Sequence, residues 1–280
     1  MTTLASSPAT ATASAGSPAE PPAARFRDLI ASEWIKTRSL RSTPWVLAFI
    51  TLFVIGSAAV ATLSDKAAGS EPGSFLAYDS FSSPGYMTLI LVAGTMGALG
   101  VVSEYGSGLI RTTFAAVPDR GAVVLAKAVV TAALWTAVGT VASLGSFLVS
   151  QAVLNGHDAA ASITHPDVFR PLVASALLAP VCALTGLGLG ILLRHAAGTM
   201  LAAVFALLML PTMFSESNRW SADIRHAMVS AAWTRLVQTW EPDPGSLGYS
   251  ATLPGCWIVF ALWPLIAVAL AVVVVRRRDV

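Results

Sequence analysis

The residue types that commonly carry out chemistry are scarce in this sequence, and no catalytic motif contains them. There is no H-E-x-x-H, G-x-S-x-G or P-loop pattern, so we expect no catalytic residues, no cofactor site and no nucleotide hydrolysis by this chain. The remaining charged and aromatic side chains concentrate in two short segments, where binding is the chemistry they can support. They are Glu33, Trp34, Lys36 and Arg38 in residues 25–41, and Glu104, Arg111, Thr112, Thr113, Phe114 and Arg120 in residues 103–120.

A third group of polar residues does not predict a metal site. The loop before the fourth apolar run contains two histidines and two aspartates, but no i, i+4 spacing supports metal binding, and a solvated loop is the preferred interpretation. These residues are His157, Asp158, His165 and Asp167. No ionisable residue lies deep in any apolar run, which argues against a proton-coupled transporter or pump.

Residues 103–120, SEYGSGLIRTTFAAVPDR, separate two long apolar runs. Gly106 and Gly108 predict a break in the helix, and Ser107 is placed to cap a new one. Pro118 predicts that this new helix ends near Val117. The segment therefore predicts a short helix between two membrane spans.

The short helix is expected to be amphipathic. One face is formed by residues at i, i+4 spacing, namely Leu109, Ile110, Thr113, Phe114 and Val117. Arg111 lies off this face. The pattern fits a helix lying in the lipid interface and a helix docking into a groove of a soluble partner equally well. In the docking interpretation, Phe114 is the apolar anchor.

The composition predicts an all-α membrane protein. Of the 280 residues, 55% are hydrophobic and only 11% are charged, against about 25% charged in soluble domains. The apolar runs are continuous and near 20 residues long, which is typical of membrane helices rather than barrel strands. The net charge of +2 is too small to indicate nucleic acid binding. Six spans are predicted, at about 45–63, 86–102, 122–154, 172–193, 197–214 and 257–275.

The region before the first span divides into a tail and a helix. Residues 1–24 are rich in Ala, Ser, Thr, Pro and Gly, which predicts a disordered tail. In residues 25–41, apolar side chains recur at helical spacing among charges, which predicts an amphipathic helix on the membrane surface with Trp34 at headgroup depth. Its basic residues would face anionic lipid. A plain solvated linker is the alternative.

The basic residues predict the orientation. Twelve of the 17 lysines and arginines fall on one side of the predicted spans, so that side is expected to be cytoplasmic. It contains both termini and residues 103–120, and Lys127 is expected to extend its ammonium group to this surface. On the other side, Ile224, Met228, Ala232, Leu236 and Trp240 step by four and predict one amphipathic helix on or in the outer surface.

Small residues along the third span allow two interpretations. Gly139, Ser143, Ser146 and Ser150 share one flank. They could line a polar path for cargo, but close helix packing is preferred, because they are small and uncharged.

Three segments together resemble the ABC-2 type permeases, the membrane subunits of bacterial ABC exporters. They are ASEWIKTRSLRST at residues 31–43, the stretch at 103–120, and the RRRDV terminus. The resemblance covers residues 25–280. It implies an elbow helix before the first span, and a coupling helix between spans two and three that contacts an ATPase. The implied contact residues include Glu104, Arg111, Thr112, Thr113 and Arg120.

This resemblance also implies partners and a location. The chain lacks an ATP-binding domain, so a separate ABC ATPase would bind ATP, and two permease chains would pair in the lipid bilayer of a bacterial plasma membrane. The function expected is export. An intramembrane enzyme and a non-transporting anchoring or signalling protein are the alternatives.

Overall fold

Every element in the described part of the chain is a helix, which confirms the all-α class. The computed structural model describes residues 25–67, 80–81, 84–154, 166–240 and 248–277. The helices are α1 (Phe26–Ser39), α2 (Ser42–Ala67), α3 (Pro84–Ser107), α4 (Leu109–Ala116), α5 (Arg120–Leu154), α6 (Pro166–Leu193), α7 (Ala196–Thr212), α8 (Arg219–His226), α9 (Val229–Val237) and α10 (Leu253–Arg277). The predicted tail at 1–24 and the histidines of the predicted polar loop lie outside these residues.

Five of the described helices are long and apolar enough to cross a membrane. They are α2, α3, α5, α6 and α10, with mean hydropathies between 1.8 and 3.0. The protein is therefore a multi-pass membrane protein by the length and composition of its helices. The predicted span at 197–214, the fifth in chain order, corresponds to α7, which has only 17 residues. It contains a π-helical turn at Phe205–Met209, shortly before Pro211, whose missing N–H cannot continue the regular ladder.

Helix α6 lies at the centre of the bundle, and small residues bring its neighbours close. A Cβ atom added at Gly97 of α3 would meet the carbonyl of Ala183, and one added at Gly186 would meet the carbonyl of Gly94. On the α5 side, a Cβ at Gly139 would meet the carbonyl of Ala176. These glycines therefore permit backbone contact between helices.

The serines of α5 also serve packing. Ser143, Ser146 and Ser150 are all buried. The Ser143 hydroxyl donates to the carbonyl of Leu172 over 2.8 Å, and the Thr62 hydroxyl donates to Ser150 over 2.9 Å. This arrangement agrees with the packing interpretation of these serines. By contrast, α2 and α10 expose most of their apolar surface, as helices at the periphery of a membrane bundle do.

The contacts place two sets of basic residues at opposite ends of the bundle. At one end, the Arg194 guanidinium lies 5.1 Å from the Tyr105 ring, and Arg276 approaches Asp119 to 3.7 Å. We call this the basic end, and it contains α1, α4, the starts of α2 and α5, and the ends of α3, α6 and α10. At the opposite end, Arg170 donates to the carbonyl of Leu236 on α9.

The predicted single helix at the opposite end is wrong, because the structure has two. Helix α8 ends at His226, and α9 begins after Met228, whose backbone is extended. The stepping by four crosses this break, so periodicity alone did not reveal it. Helix α9 enters the bundle, where Trp233 is buried and its indole N–H donates to the Ser175 hydroxyl over 3.1 Å.

Candidate functional site

The break before α4 occurs at one glycine. Helix α3 continues through Gly106 to Ser107, and Gly108 then adopts φ 75 and ψ 0, in the left-handed region that favours glycine. Ser107 is not the cap, since its hydroxyl donates back to the carbonyl of Ser103 over 2.9 Å within α3. The C-terminal prediction is confirmed, because Val117 is extended and ends α4 directly before Pro118.

The inner face of α4 packs against the protein's own helices. Only Ile110 and Phe114 of the predicted apolar face are buried, and Leu109 remains 44% exposed. The two buried side chains belong to an apolar cluster at the basic end. Its other buried members are Leu29, Val101, Val102, Val123, Val124, Ala126, Leu187, Ile191, Ala271 and Val275. Phe114 is therefore not available to anchor a partner, and instead fastens α4 to the bundle.

The outer face of α4 is exposed and composed of small or flexible side chains. It presents Leu109, Arg111, Thr112, Ala115 and Ala116. The hydroxyl groups of Thr112 and Thr113 both donate hydrogen bonds to the carbonyl of Leu109. These bonds restrict the rotamers of the two side chains.

The predicted contact residues thus separate into two groups. Arg111 and Thr112 lie on the surface, whereas Glu104 is buried. The Arg120 guanidinium lies 5.6 Å from the Phe114 ring and covers it.

At the basic end, four charged side chains from three helices form one ion network. Glu33 and Lys36 come from α1, Glu104 from α3 and Lys127 from α5. The Lys127 ammonium lies 2.6 Å from Glu33 Oε2 and 2.8 Å from Glu104 Oε1. The Lys36 ammonium lies 2.7 Å from Glu33 Oε1 and 3.4 Å from Glu104 Oε1. The ion network therefore joins α1 to α3 and α5, the two spans that flank α4.

Three of the four residues in the ion network are buried. Glu33, Glu104 and Lys127 are only 4%, 6% and 7% exposed. The three ammonium protons of Lys127 are all used, since it also donates to the carbonyl of Gly100 over 3.4 Å. Removing one member would leave buried charge without a partner, which is costly.

The electrostatics of α1 follow from these pairs. Burial alone would raise the pKa of the Glu33 carboxyl, but the charges and hydrogen bonds of Lys127 and Lys36 outweigh it and hold that pKa below its usual value. Burial alone would lower the pKa of Lys36, but its hydrogen bond to Glu33 and the two carboxylate charges hold it above the usual value. Both groups are therefore charged near neutral pH.

One expectation for this region is wrong. Lys127 does not extend to the surface, because two buried carboxylates hold it inside the bundle. On α1, Glu33 is buried together with Leu29, while Trp34 is 42% exposed and Arg38 is exposed. The signal in the sequence was that Glu104 and Lys127 are the charges nearest the apolar runs on either side of α4. Antiparallel helices joined by a short segment place such residues at similar depth.

The ion network connects helices through paired charges. Three of its four carboxylate oxygens are bound to ammonium groups. Among the residues that the structure describes, no group of three potential metal ligands comes together. No protein-family model matches this sequence, and no curated protein matches it either.

Proposed function

We propose that this chain is the permease subunit of an ABC exporter of the ABC-2 type, in a bacterial plasma membrane. The observation that carries the proposal is α4, a two-turn helix between two spans, fastened from beneath by Phe114 and exposed on its outer face. A helix so placed can receive force from a soluble partner and pass it to the spans. The partner would be a separate ABC ATPase, which binds and hydrolyses the ATP.

The route of coupling follows from the contacts at the basic end. A displacement of α4 acts on α3 and α5 through the apolar cluster around Phe114. The ion network then carries the same displacement to α1, because Glu33 shares Lys127 with Glu104. In this role, Arg111 and Thr112 are contact residues, whereas Glu104, Phe114 and Arg120 position α4. Helix α1 acts as the elbow helix.

The membrane arrangement belongs to the same proposal. Helix α7 is taken as the fifth of six spans, and local thinning of the bilayer can accommodate its 17 residues. Six spans put both termini and α4 on the cytoplasmic side, consistent with the arginines and lysines of the basic end. A complete exporter would contain two permease chains and two ATPases.

Purification from native membranes tests the proposal. A permease should bring an ABC ATPase with it in stoichiometric amount, and ATP hydrolysis by the isolated complex should respond to added membrane lipids or cargo. An intramembrane enzyme or an anchoring protein would purify without an ATPase. Absence of an ATPase from a monodisperse preparation would overturn the proposal.

A further inference from the structure

A cavity opens between α1, α2, α3 and α5 at the basic end of the bundle. Its volume is about 600 Å³, within the usual range of roughly 300–1,000 Å³ for small-molecule sites. Toward the middle of the bundle it is lined by apolar side chains, which include Leu47, Met96, Leu99, Leu134 and Trp135. Toward the basic end it is lined by the four residues of the ion network. The cavity is therefore amphipathic along its length.

One carboxylate oxygen of the ion network has no hydrogen-bond donor. Both oxygens of Glu33 accept from lysines, and all three protons of Lys127 are donated. Oε1 of Glu104 accepts from both lysines, at 2.8 and 3.4 Å. Oε2 of Glu104 has less than 1 Å² of accessible surface and no hydrogen-bond partner. A buried carboxylate oxygen without a donor is unfavourable, so the site lacks a donor at this position.

The charge balance of the ion network decides what kind of donor fits. Two carboxylates face two ammonium groups, so their formal charges already cancel. An added cation or anion would leave a net charge buried in this site, which is costly, whereas a neutral donor would not. We propose that the cavity binds an uncharged amphiphile whose hydroxyl or amide group donates to Glu104 and whose apolar body contacts Leu134 and Trp135.

The donor reaches Oε2 through a small movement of the carboxylate. A rotation about χ3 of Glu104 turns Oε2 toward the cavity, and this terminal torsion of glutamate is broad and has a low barrier. Both oxygens of Glu104 move in this rotation, while Lys127 and Lys36 keep their bonds to Glu33 at 2.6 and 2.7 Å. The inference concerns binding alone, so it does not depend on the chain being a permease.

Site-mapped photolabelling tests the inference. The full chain in lipid nanodiscs is irradiated with decanol that has a diazirine at the end of its chain, and labelled peptides are located by mass spectrometry. Decanol, methyl decyl ether, decylammonium and decanoate then compete with the probe. They share the same apolar chain and differ only in the head group.

The protein variants are Leu134→Trp, which fills the cavity, and Glu104→Gln, which removes the carboxylate. Leu148→Trp on the exposed face of the same helix is the matched control.

The expected label lies on α3 and α5 beside the cavity. Decanol should compete at about tenfold lower concentration than methyl decyl ether, because only the alcohol donates a hydrogen bond. The two charged probes should compete no better than the ether. Leu134→Trp should abolish the label while Leu148→Trp keeps it, and Glu104→Gln should remove the preference for the alcohol. If Glu104→Gln does not fold, the Leu134→Trp comparison decides alone.

Three results would overturn the inference. They are equal competition by the alcohol and the ether, stronger competition by a charged probe, and labelling that survives Leu134→Trp. Competition by monodecanoyl glycerol separates two sources of the same head group. If it exceeds that of decanol, the hydroxyl belongs to a neutral lipid, and if it is weaker, the ligand is a free alcohol or amide.

Discussion

The ammonium group of Lys127 donates to Oε2 of Glu33 over 2.6 Å, although 94 positions separate the two residues in the chain. The bond fixes the helix that precedes the first span to the third long helix. Because Lys127 also binds Glu104, a single buried cation holds α1 to α3 and α5, the two spans that flank α4. We therefore expect these three helices to move together at the basic end.

Replacing Lys127 by methionine should strongly destabilise the protein. The change keeps most of the apolar length of the side chain but leaves two buried carboxylates with Lys36 as their remaining cation, and breaking such a network costs about 3–5 kcal/mol. The measurement is thermal unfolding of the purified chain in detergent. Arg276→Met is the control, because Arg276 and Asp119 form an exposed pair that contributes at most about 1 kcal/mol. Equal losses of thermal stability in both variants would mean that the ion network stabilises the fold no more than an exposed ion pair does.

Acid should destabilise the protein through Glu33. Its pKa in the folded chain lies below the usual 4.5, so its stabilising contribution is present above about pH 4.5 and is lost as the pH falls through the lowered folded value. The melting temperature of the wild type should therefore fall more steeply below pH 4.5 than that of Glu33→Gln. Glu216→Gln, which removes a partly exposed carboxylate at the opposite end, should keep the wild-type slope. A Glu33→Gln profile parallel to the wild type would contradict this.

Phe114→Ala should act on stability, because the ring lies in the chain's own apolar cluster. Removing a buried aromatic side chain costs about 3–5 kcal/mol. Leu109→Ala on the exposed face of the same helix should change stability by less than about 1 kcal/mol. Chemical denaturation in mixed micelles measures both. A Phe114→Ala variant as stable as Leu109→Ala would show that α4 is not fastened by this ring.

The long helices could be predicted from the sequence because their signal is local. Continuous apolar runs indicated α2, α3, α5, α6 and α10 to within six residues at each end, and Pro118 marked the end of α4. The position of α1 also followed from the pattern of Phe26 and Leu29 among charges. In each case the residues that decide the structure are neighbours in the chain.

The ion network and the role of Phe114 could not be predicted, because both depend on how distant helices are placed. Glu33 and Trp34 are equally plausible inward residues of an amphipathic helix until α5 presents Lys127 to one of them. Phe114 has the same spacing whether its neighbour is lipid, a partner or Leu29. The break between α8 and α9 was missed for a related reason, since the periodicity of Met228 and Ala232 continues across it.

The proposed orientation predicts which surfaces an impermeant reagent can reach. In a background with Cys182 and Cys256 replaced by alanine, Ser217→Cys should react with a charged maleimide on intact cells. Ser107→Cys should react only after permeabilisation. Both serines are exposed, so protection reports the membrane rather than burial in the protein. Labelling of Ser107→Cys from outside intact cells would invert the orientation.

The central claim is that the outer face of α4 docks on an ATPase, and ATPase co-purification from α4 surface variants tests it most directly. Ala115→Trp adds bulk to this face, and Arg111→Glu reverses its charge. Both positions are exposed, so the melting temperature should hardly change. Ala152→Trp and Arg219→Glu make the same changes on exposed positions toward the opposite end.

At equal membrane levels, we expect each α4 variant to retain much less ATPase than the wild type, because loss of a central contact costs about 2 kcal/mol, roughly thirtyfold in affinity. The two controls should retain wild-type amounts. Wild-type amounts of ATPase with both Ala115→Trp and Arg111→Glu would contradict the claim that α4 is the coupling helix.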